Sequence, residues 1–301
     1  MKHVFIVNPI SGHQNALELI PSIERYFESN PHEYIIHLTQ YPKHATEIAS
    51  QYHNSDDVTI YACGGDGTIN EVFNGLAPSV PMAVIPVGTG NDFFSMLKIK
   101  ETKLEDILKA TIEGKEVLVD AGQCNDLRFV EAMSMGFDAD VAAYANTLSR
   151  QKWLPSSMVY WTSVIKNIVS RKTYHMTIDI DGKTINEKLL LIAIINGRAY
   201  GGGFLPTPYS DIQDGYLDIC VIENAALPKI LNALPKYQKG THLKLDIVRF
   251  YKAKNLKIQT NQDVHMQRDG EVSVARNLNI SILEKGLKLR VPHSSPLKEN
   301  L

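Results

Sequence analysis

The stretch Gly64-Gly65-Asp66-Gly67-Thr68-Ile69-Asn70-Glu71-Val72 constrains the fold more than any other part of this chain. It follows the apolar, β-branched run at 58–63 and leads into a helical spacing of Val72, Phe73 and Leu76. A strand that becomes a helix across Gly64, Gly65 and Gly67 needs backbone that turns sharply and leaves room where a Cβ would stand. The first turn of that helix presents unpaired N–H groups and the positive end of its dipole, so the turn is an anion site. Asp66 in such a place repels a phosphate unless a cation bridges the two, which points to a nucleotide phosphate held with Mg²⁺. A ligand-free βα connection is the plain alternative. No Gly-Lys-Ser/Thr follows, so the turn is no Walker A loop, and its glycine spacing is not that of the dinucleotide fingerprint.

The same alternation runs to about residue 124. Residues 4–8, 34–39, 58–63 and 82–86 are short runs suited to a parallel sheet buried on both faces. Helical patterns separate them: Leu17, Ile20, Ile23 and Phe27 with Pro21 set to break or restart the helix, then 43–52 and 70–77. Residues 1–124 are therefore expected to form a doubly wound α/β domain whose ligands sit beyond the carboxyl ends of the strands. After residue 124 the texture changes. Segments 129–135, 175–180, 188–196, 216–222, 264–267, 278–283 and 287–291 read as strands between Asp-Gly, Gly-Gly and Asn-rich turns, with helices at 139–148, 158–170 and 227–238. Residues 125–301 thus predict a mostly antiparallel β domain with inserted helices, its last strand or tail free to return to the first domain.

With 301 residues the chain has enough length for two cores. A formal net charge of -2 gives no whole-molecule attraction to nucleic acid or to an anionic membrane. Cys63, Cys124 and Cys220 lie singly in apolar runs and read as buried thiols of a reducing compartment. Met1 to Val7 runs straight into a strand, so no secretory signal is expected, and the longest apolar run, 189–195, falls far short of the roughly twenty residues that span a bilayer. The expected location is cytoplasmic, at most peripheral to the inner face of the membrane.

Further polar, glycine-bearing elements fall at strand ends of the first domain: Asn8-Pro9-Ile10-Ser11-Gly12, Thr39, and Pro86-Val87-Gly88-Thr89-Gly90-Asn91-Asp92-Phe93. In a parallel sheet all open on one edge with the Gly64 loop, which favours a nucleotide cleft. Asn8 and Thr39 suit an adenosine or its phosphates; Ser11, Gly12, Gly88 and Thr89 offer hydroxyls and backbone donors; Asn91 and Asp92 also suit helix caps. In the second domain Asp269-Gly270-Glu271 reads first as a hairpin turn, and equally as two carboxylates placed for base and metal work in phosphoryl transfer. Asp211, Asp214 and Tyr216, in the turn ending at Asp218, offer oxygens at a spacing that suits a hard cation, or are a plain loop.

Taken in order, Asn8-Pro9-x-Ser11-Gly12, the string 64–72, Pro86-x-Gly88-Thr89-x-Asn91-Asp92-Phe93, Gly136-Phe137-Asp138-Ala139, 196–203, Asp214-Gly215-x-Leu217-Asp218 and Asp269-Gly270-Glu271 resemble the soluble bacterial members of the diacylglycerol/lipid kinase family, related to sphingosine kinases. The resemblance spans nearly the whole chain. It implies an NAD-kinase/diacylglycerol-kinase-like ATP-binding domain and a β-sandwich-like second domain, with the active site between them. It further implies ATP contacts at Asn8, Pro9, Ile10, Ser11, Gly12, Thr39, Gly65, Asp66, Gly67, Thr68, Ile69, Asn70, Glu71 and Thr89. Glu271 takes the place of the proton acceptor, with Asp269 near enough to share the role. Asp211, Asp214 and Tyr216 match a second Mg²⁺ site, away from the phosphates.

The expected reaction is transfer of the ATP γ-phosphoryl group to a lipid hydroxyl, with Mg²⁺ near Asp66 and Asp92. Lipid access needs an apolar route. Lys152, Trp153 and Leu154, then Met158, Tyr160, Trp161, Val164, Ile165, Ile168 and Val169, form an apolar helical region flanked by Lys166, Arg171 and Lys172. That segment is either a bilayer-interface helix or one packed on the β domain. An ATP-NAD kinase is a rival, disfavoured by the Asn-Pro-x-Ser-Gly and Pro-x-Gly-Thr-x-Asn-Asp elements; a non-catalytic nucleotide or lipid sensor is another. The acceptor lipid and the oligomeric state, a homodimer included, stay open.

Overall fold

The computed structural model describes residues 1–149, 156–170, 172–201 and 203–299. Lys152, Trp153, Leu154, Arg171 and Gly202 lie outside the described residues. The first half runs β1 (Lys2–Val7), a 3₁₀ stretch (Ser11–Glu18), α1 (Leu19–Ser29), β2 (Tyr34–Leu38), α2 (His44–Ala49), β3 (Val58–Gly64), α3 (Asp66–Gly75), β4 (Met82–Pro86), α4 (Asp92–Ser95) and α5 (Leu104–Ile112). Pro21 sits in the first turn of α1, where its missing N–H costs nothing, and the 3₁₀ stretch precedes it.

β1 lies between β2 and β3, and β4 follows β3, all parallel. Alternate residues of each strand face opposite cores. Val4 and Ile6 join Ile60 and Ala62 under α2 and α3, whereas Phe5 and Val7 join Tyr61 and Cys63 under α1 and α5. Burial on both faces is why these strands read as unbroken apolar runs. The strand order reverses direction between β1 and β3, so the loops after these two strands diverge and leave a crevice at the carboxyl edge of the sheet.

The second half runs β5 (Lys115–Cys124), β6 (Leu127–Phe129), β7 (Ala132–Gly136), α6 (Phe137–Ser149), α7 (Ser156–Ser170), β8 (Tyr174–Ile180), β9 (Lys183–Ile195), β10 (Leu217–Glu223), α8 (Leu227–Gln238), β11 (Val248–Ala253), β12 (Asn255–Arg268) and β13 (Glu271–Val291). Apart from the β13–β4 pair, their pairings are antiparallel. Inner residues such as Met176, Ile192, Ile258 and Met266 form one core, and α8 covers a second on the outer face of β9 and β10. β5 and β11 were not among the expected strands. β13 is one strand where two were expected, with only an irregularity between Leu283 and Leu287. Its end pairs in parallel with β4, Leu289 to Met82, and Leu287, Leu289, Val291 and Leu297 pack into the core of the first half.

Cys63, Cys124 and Cys220 are free and buried. Among the described residues no helix is long and apolar enough to cross a membrane.

Candidate active site

Three loops meet at the crevice. Gly65 and Gly88 touch backbone to backbone: a Cβ on Gly88 would stand 2.3 Å from the Gly65 Cα. A side chain cannot occupy that space, which is the physical requirement behind glycine there. Asn91 holds the Gly88 turn by accepting from its N–H (3.1 Å) and donating to its carbonyl (3.0 Å), from a left-handed conformation that asparagine tolerates. The Asp66 carboxylate accepts from the amides of Asp92 and Phe93, 3.2 Å each, at the start of α4. Asn8 donates to Thr68 Oγ1 (3.1 Å) and so ties the first loop to the glycine turn.

The Asp269-Gly270 turn closes the β12–β13 hairpin, with both residues at positive φ (42° and 84°) as a type I′ turn demands. The hairpin reading holds, and Asp269 and Glu271 both line the cavity described below. Asp269 is buried and accepts from the amides of Val130 (2.8 Å), Glu131 (3.1 Å) and Ala132 (3.0 Å). Burial raises its pKa, and these amides pull it back. Glu271 stays half exposed and pairs with Arg268 at 2.9 Å.

These contacts converge on Glu131, a residue with no sequence motif of its own. Its N–H is held by Asp269, and its carbonyl accepts from Asn196 N (2.9 Å) and Gly197 N (3.0 Å). The Asn196 side chain adds bonds to the carbonyls of Asp120 and Val130, which gives the 196–203 element a scaffolding part. The Glu131 side chain is buried, and its Oε1 has no hydrogen-bond partner. Burial, then the charges of Asp269, Asp66 and Asp92, push its pKa well above the ordinary carboxyl range. Carboxylate oxygens of Asp66, Asp92 and Glu131 lie within 4.8 Å of one another. That approaches the span of a Mg²⁺ shell, whose oxygens sit about 2.1 Å from the ion. Hard oxygen donors gathered around a buried Glu131 oxygen that has no hydrogen-bond partner fit a divalent cation. The sequence did carry one signal for Glu131: an acid within an apolar strand run, costly unless something compensates it.

A cavity of about 990 Å³ joins this cluster to an apolar chamber. Ile10, Ser11, Gly12, Gly65, Asp66, Gly67, Thr89, Asp269 and Glu271 line its polar end. Asn8, Pro9, Thr68, Ile69, Asn70 and Glu71 do not line it; Ile69 is wholly in the core, and Glu71 accepts from Ala45 N (3.3 Å) on the α2 side. Thr39 continues the β1–β2 ladder by donating its N–H to Val7 O (2.9 Å), outside the cavity wall. Asp211, Asp214 and Tyr216 also lie apart from it. There Lys252 Nζ sits 2.5 Å from Asp214 and 3.6 Å from Asp218. The other end of the cavity is walled by α6, α7, α8 and β9, through residues such as Val141, Val164, Leu191 and Leu234.

Helix α7 shows two faces. Val164 and Ile168 pack on Val141, while Met158, Trp161, Ile165 and Val169 form an exposed apolar stripe. Lys166 Nζ lies 3.3 Å from the Tyr144 ring centroid.

Residues 2–124 match the family profile described as the diacylglycerol kinase catalytic domain, and residues 131–291 that of the YegS C-terminal NAD kinase beta sandwich-like domain. The chain is similar to the diacylglycerol kinase of Bacillus subtilis (strain 168), 29% identical over 272 residues covering 88% of each chain. It is similar also to that of Staphylococcus carnosus (strain TM300), 28% identical over 293 residues, 95% of this chain and 94% of the other. A crystal structure of a diacylglycerol kinase from Bacillus anthracis str. Sterne superposes with a TM-score of 0.70 at 23% identity, covering 98% of both chains.

Proposed function

This chain belongs to the soluble bacterial diacylglycerol/lipid kinase family, and from that premise we propose that it transfers the γ-phosphoryl group of ATP to the hydroxyl of a lipid, diacylglycerol or a relative. One observation carries the reading: a single cavity has glycine loops and carboxylates at one end and a greasy chamber at the other. The phosphates would lie against Ser11, Gly12, Gly65, Gly67 and Thr89, with the loops braced from behind by the Asn8–Thr68 bond. Asp66, Asp92 and Glu131 would hold Mg²⁺, which supplies charge neutralisation for the phosphates. Glu271 accepts the proton as the lipid oxygen bonds to the γ-phosphorus and the bond to the β,γ-bridging oxygen breaks. Asp269 has both oxygens engaged by amides, so its part is to position Glu131 and the hairpin tip.

The turn at Asp211, Asp214 and Tyr216 is proposed as a secondary Mg²⁺ position, reached only when Lys252 releases Asp214. The exposed stripe of α7 is proposed to rest on the inner face of the membrane, with Lys166 and Lys172 toward its anionic head groups. Ile165→Asp with Val169→Asp is then expected to reduce co-sedimentation with anionic vesicles; unchanged co-sedimentation removes this contact.

The reaction is tested by incubating purified protein with labelled ATP, Mg²⁺ and diacylglycerol in neutral detergent micelles, with NAD as a control acceptor. Labelled lipid is expected. Label in NAD alone reverses the assignment, and ATP binding without transfer to any lipid extract identifies a sensor.

A further inference from the structure

The chamber is lined mostly by apolar side chains, with Asn146 and Gln267 as single polar members and one polar cluster on its wall. Asp138, Tyr200 and Tyr237 line it together. The Tyr200 hydroxyl donates to Asp138 Oδ2, and the Tyr237 and Tyr200 hydroxyl oxygens lie 3.1 Å apart. Asp138 Oδ1 accepts from Ala139 N at 2.8 Å, the start of α6. Ser134 lies against the same carboxyl, at a geometry too poor for a hydrogen bond.

Counting protons gives this chain a direction. A carboxylate only accepts, so the Tyr200 proton goes to Asp138. Tyr237 then donates its single proton to the Tyr200 oxygen. Burial holds both phenols far above their ordinary pKa, so neither loses its proton near neutrality. The Tyr237 oxygen is left as a hydrogen-bond acceptor at the end of the chain. A ligand acceptor there would have to capture the Tyr237 proton and break the tyrosine pair, whereas a ligand donor completes the chain at no such cost. Asp66, Asp92, Glu131, Asp138, Asp269 and Glu271 line the same cavity, and no Lys, Arg or His is among its described lining residues. An anionic group on the lipid is therefore a poor partner for this wall.

Resting on the lipid-kinase reading, we propose that Asp138, Tyr200 and Tyr237 form a polar relay that recognises a second hydrogen-bond donor, a hydroxyl or N–H, on the acceptor lipid. The relay sets specificity and takes no part in phosphoryl transfer. Asp138→Asn tests its direction. The amide oxygen can still accept from Ala139 N, while its nitrogen now donates to Tyr200, so Tyr200 donates to Tyr237 and Tyr237 donates to the ligand. The demand for a donor becomes a demand for an acceptor, which a hydroxyl and an ether oxygen both meet, without a change of shape.

The experiment compares 1-acylglycerol with its 2-O-methyl ether, identical in tail and in the free terminal hydroxyl, and adds diacylglycerol as a third acceptor. The wild type is expected to show a KM for the free diol about five-fold lower than for the ether, the effect of one hydrogen bond. Tyr237→Phe and Asp138→Asn should each bring that ratio to about one, the second because a hydroxyl and an ether oxygen both accept from Tyr237, with the KM for ATP unmoved in both. Tyr237→Phe deletes one oxygen from a ring of unchanged size, so it serves if Asp138→Asn does not fold. Diacylglycerol phosphorylation with no diol-to-ether difference, or a ratio that survives both substitutions, overturns the relay and leaves the kinase reading intact. Phosphorylation of none of the three lipids removes both.

Discussion

Asp66 with Asp92 and Glu131 in the cleft, and Asp211 with Asp214 and Asp218 in the turn leading into β10 and its first residues, are each sets of three carboxyls drawn from acidic turns or strand ends. At the second set Lys252 reaches Asp214 at 2.5 Å and Asp218 at 3.6 Å, and the Asp214 side chain keeps 26% of its surface. At the first set the described cavity lining contains no cation, Glu131 is 4% exposed, and one of its oxygens is unpartnered. Spacing of acids along the chain does not rank a ready metal position above a turn that must first release its lysine. Charge balance does: carboxylates packed together without a counter-charge are unfavourable until a cation arrives, and those that already own an ammonium are not.

The largest effect that would sharpen this contrast is Glu131→Gln, expected to lower kcat/KM for lipid phosphorylation by about 100-fold or more. Near-normal turnover would break it, since the trio would then have no need of its buried member. Gly88→Ala comes next. The new Cβ collides with Gly65, so a loss of about 1–3 kcal/mol is expected in denaturant unfolding, together with a raised KM for ATP. Removal of Mg²⁺ by a chelator should lower the stability of the wild type by about 1.4 kcal/mol relative to Mg²⁺ at ten times its Kd. Asp214→Asn should show the same shift and Glu131→Gln none; a thermal melt with and without Mg²⁺ reads all three. The smallest effect belongs to Asp214→Asn itself. Losing a half-exposed ion pair costs at most about 1 kcal/mol, and turnover should stay within roughly three-fold; a ten-fold fall would give the second turn a part in catalysis.

Much of the first half was legible because its signals are local. β1, β3 and β4 are apolar on both faces, and each ends in a glycine or proline turn whose chemistry marks the sheet edge. The Asp269-Gly270 pair announced its hairpin for the same reason. Glu131 was not legible from spacing, because what makes it special is assembled by Asp269, Asn196 and Gly197, residues distant along the chain. The course of β13 was hidden too: Arg276-Asn277 and Lys285-Gly286 break its apolar pattern, yet these are solvent-facing or irregular positions of one strand paired to β12 and then to β5. β5 begins Lys115-Glu116, polar enough to read as a loop until β13 is beside it. Of the motif Gly136-Phe137-Asp138-Ala139, the sequence shows the turn and not the partner that Asp138 finds in Tyr200.

The far end of β13 has a consequence for synthesis. A ribosome that has released the chain only as far as Cys124 has delivered every helix and strand of the parallel layer, yet β4 still presents a bare edge, because Leu289 and Arg290 are more than half the chain away. Such an edge invites pairing with another nascent chain. The first half therefore gains its final border only when translation is almost over, and a fragment cut at the boundary between the two halves is expected to aggregate rather than to fold as an independent nucleotide binder.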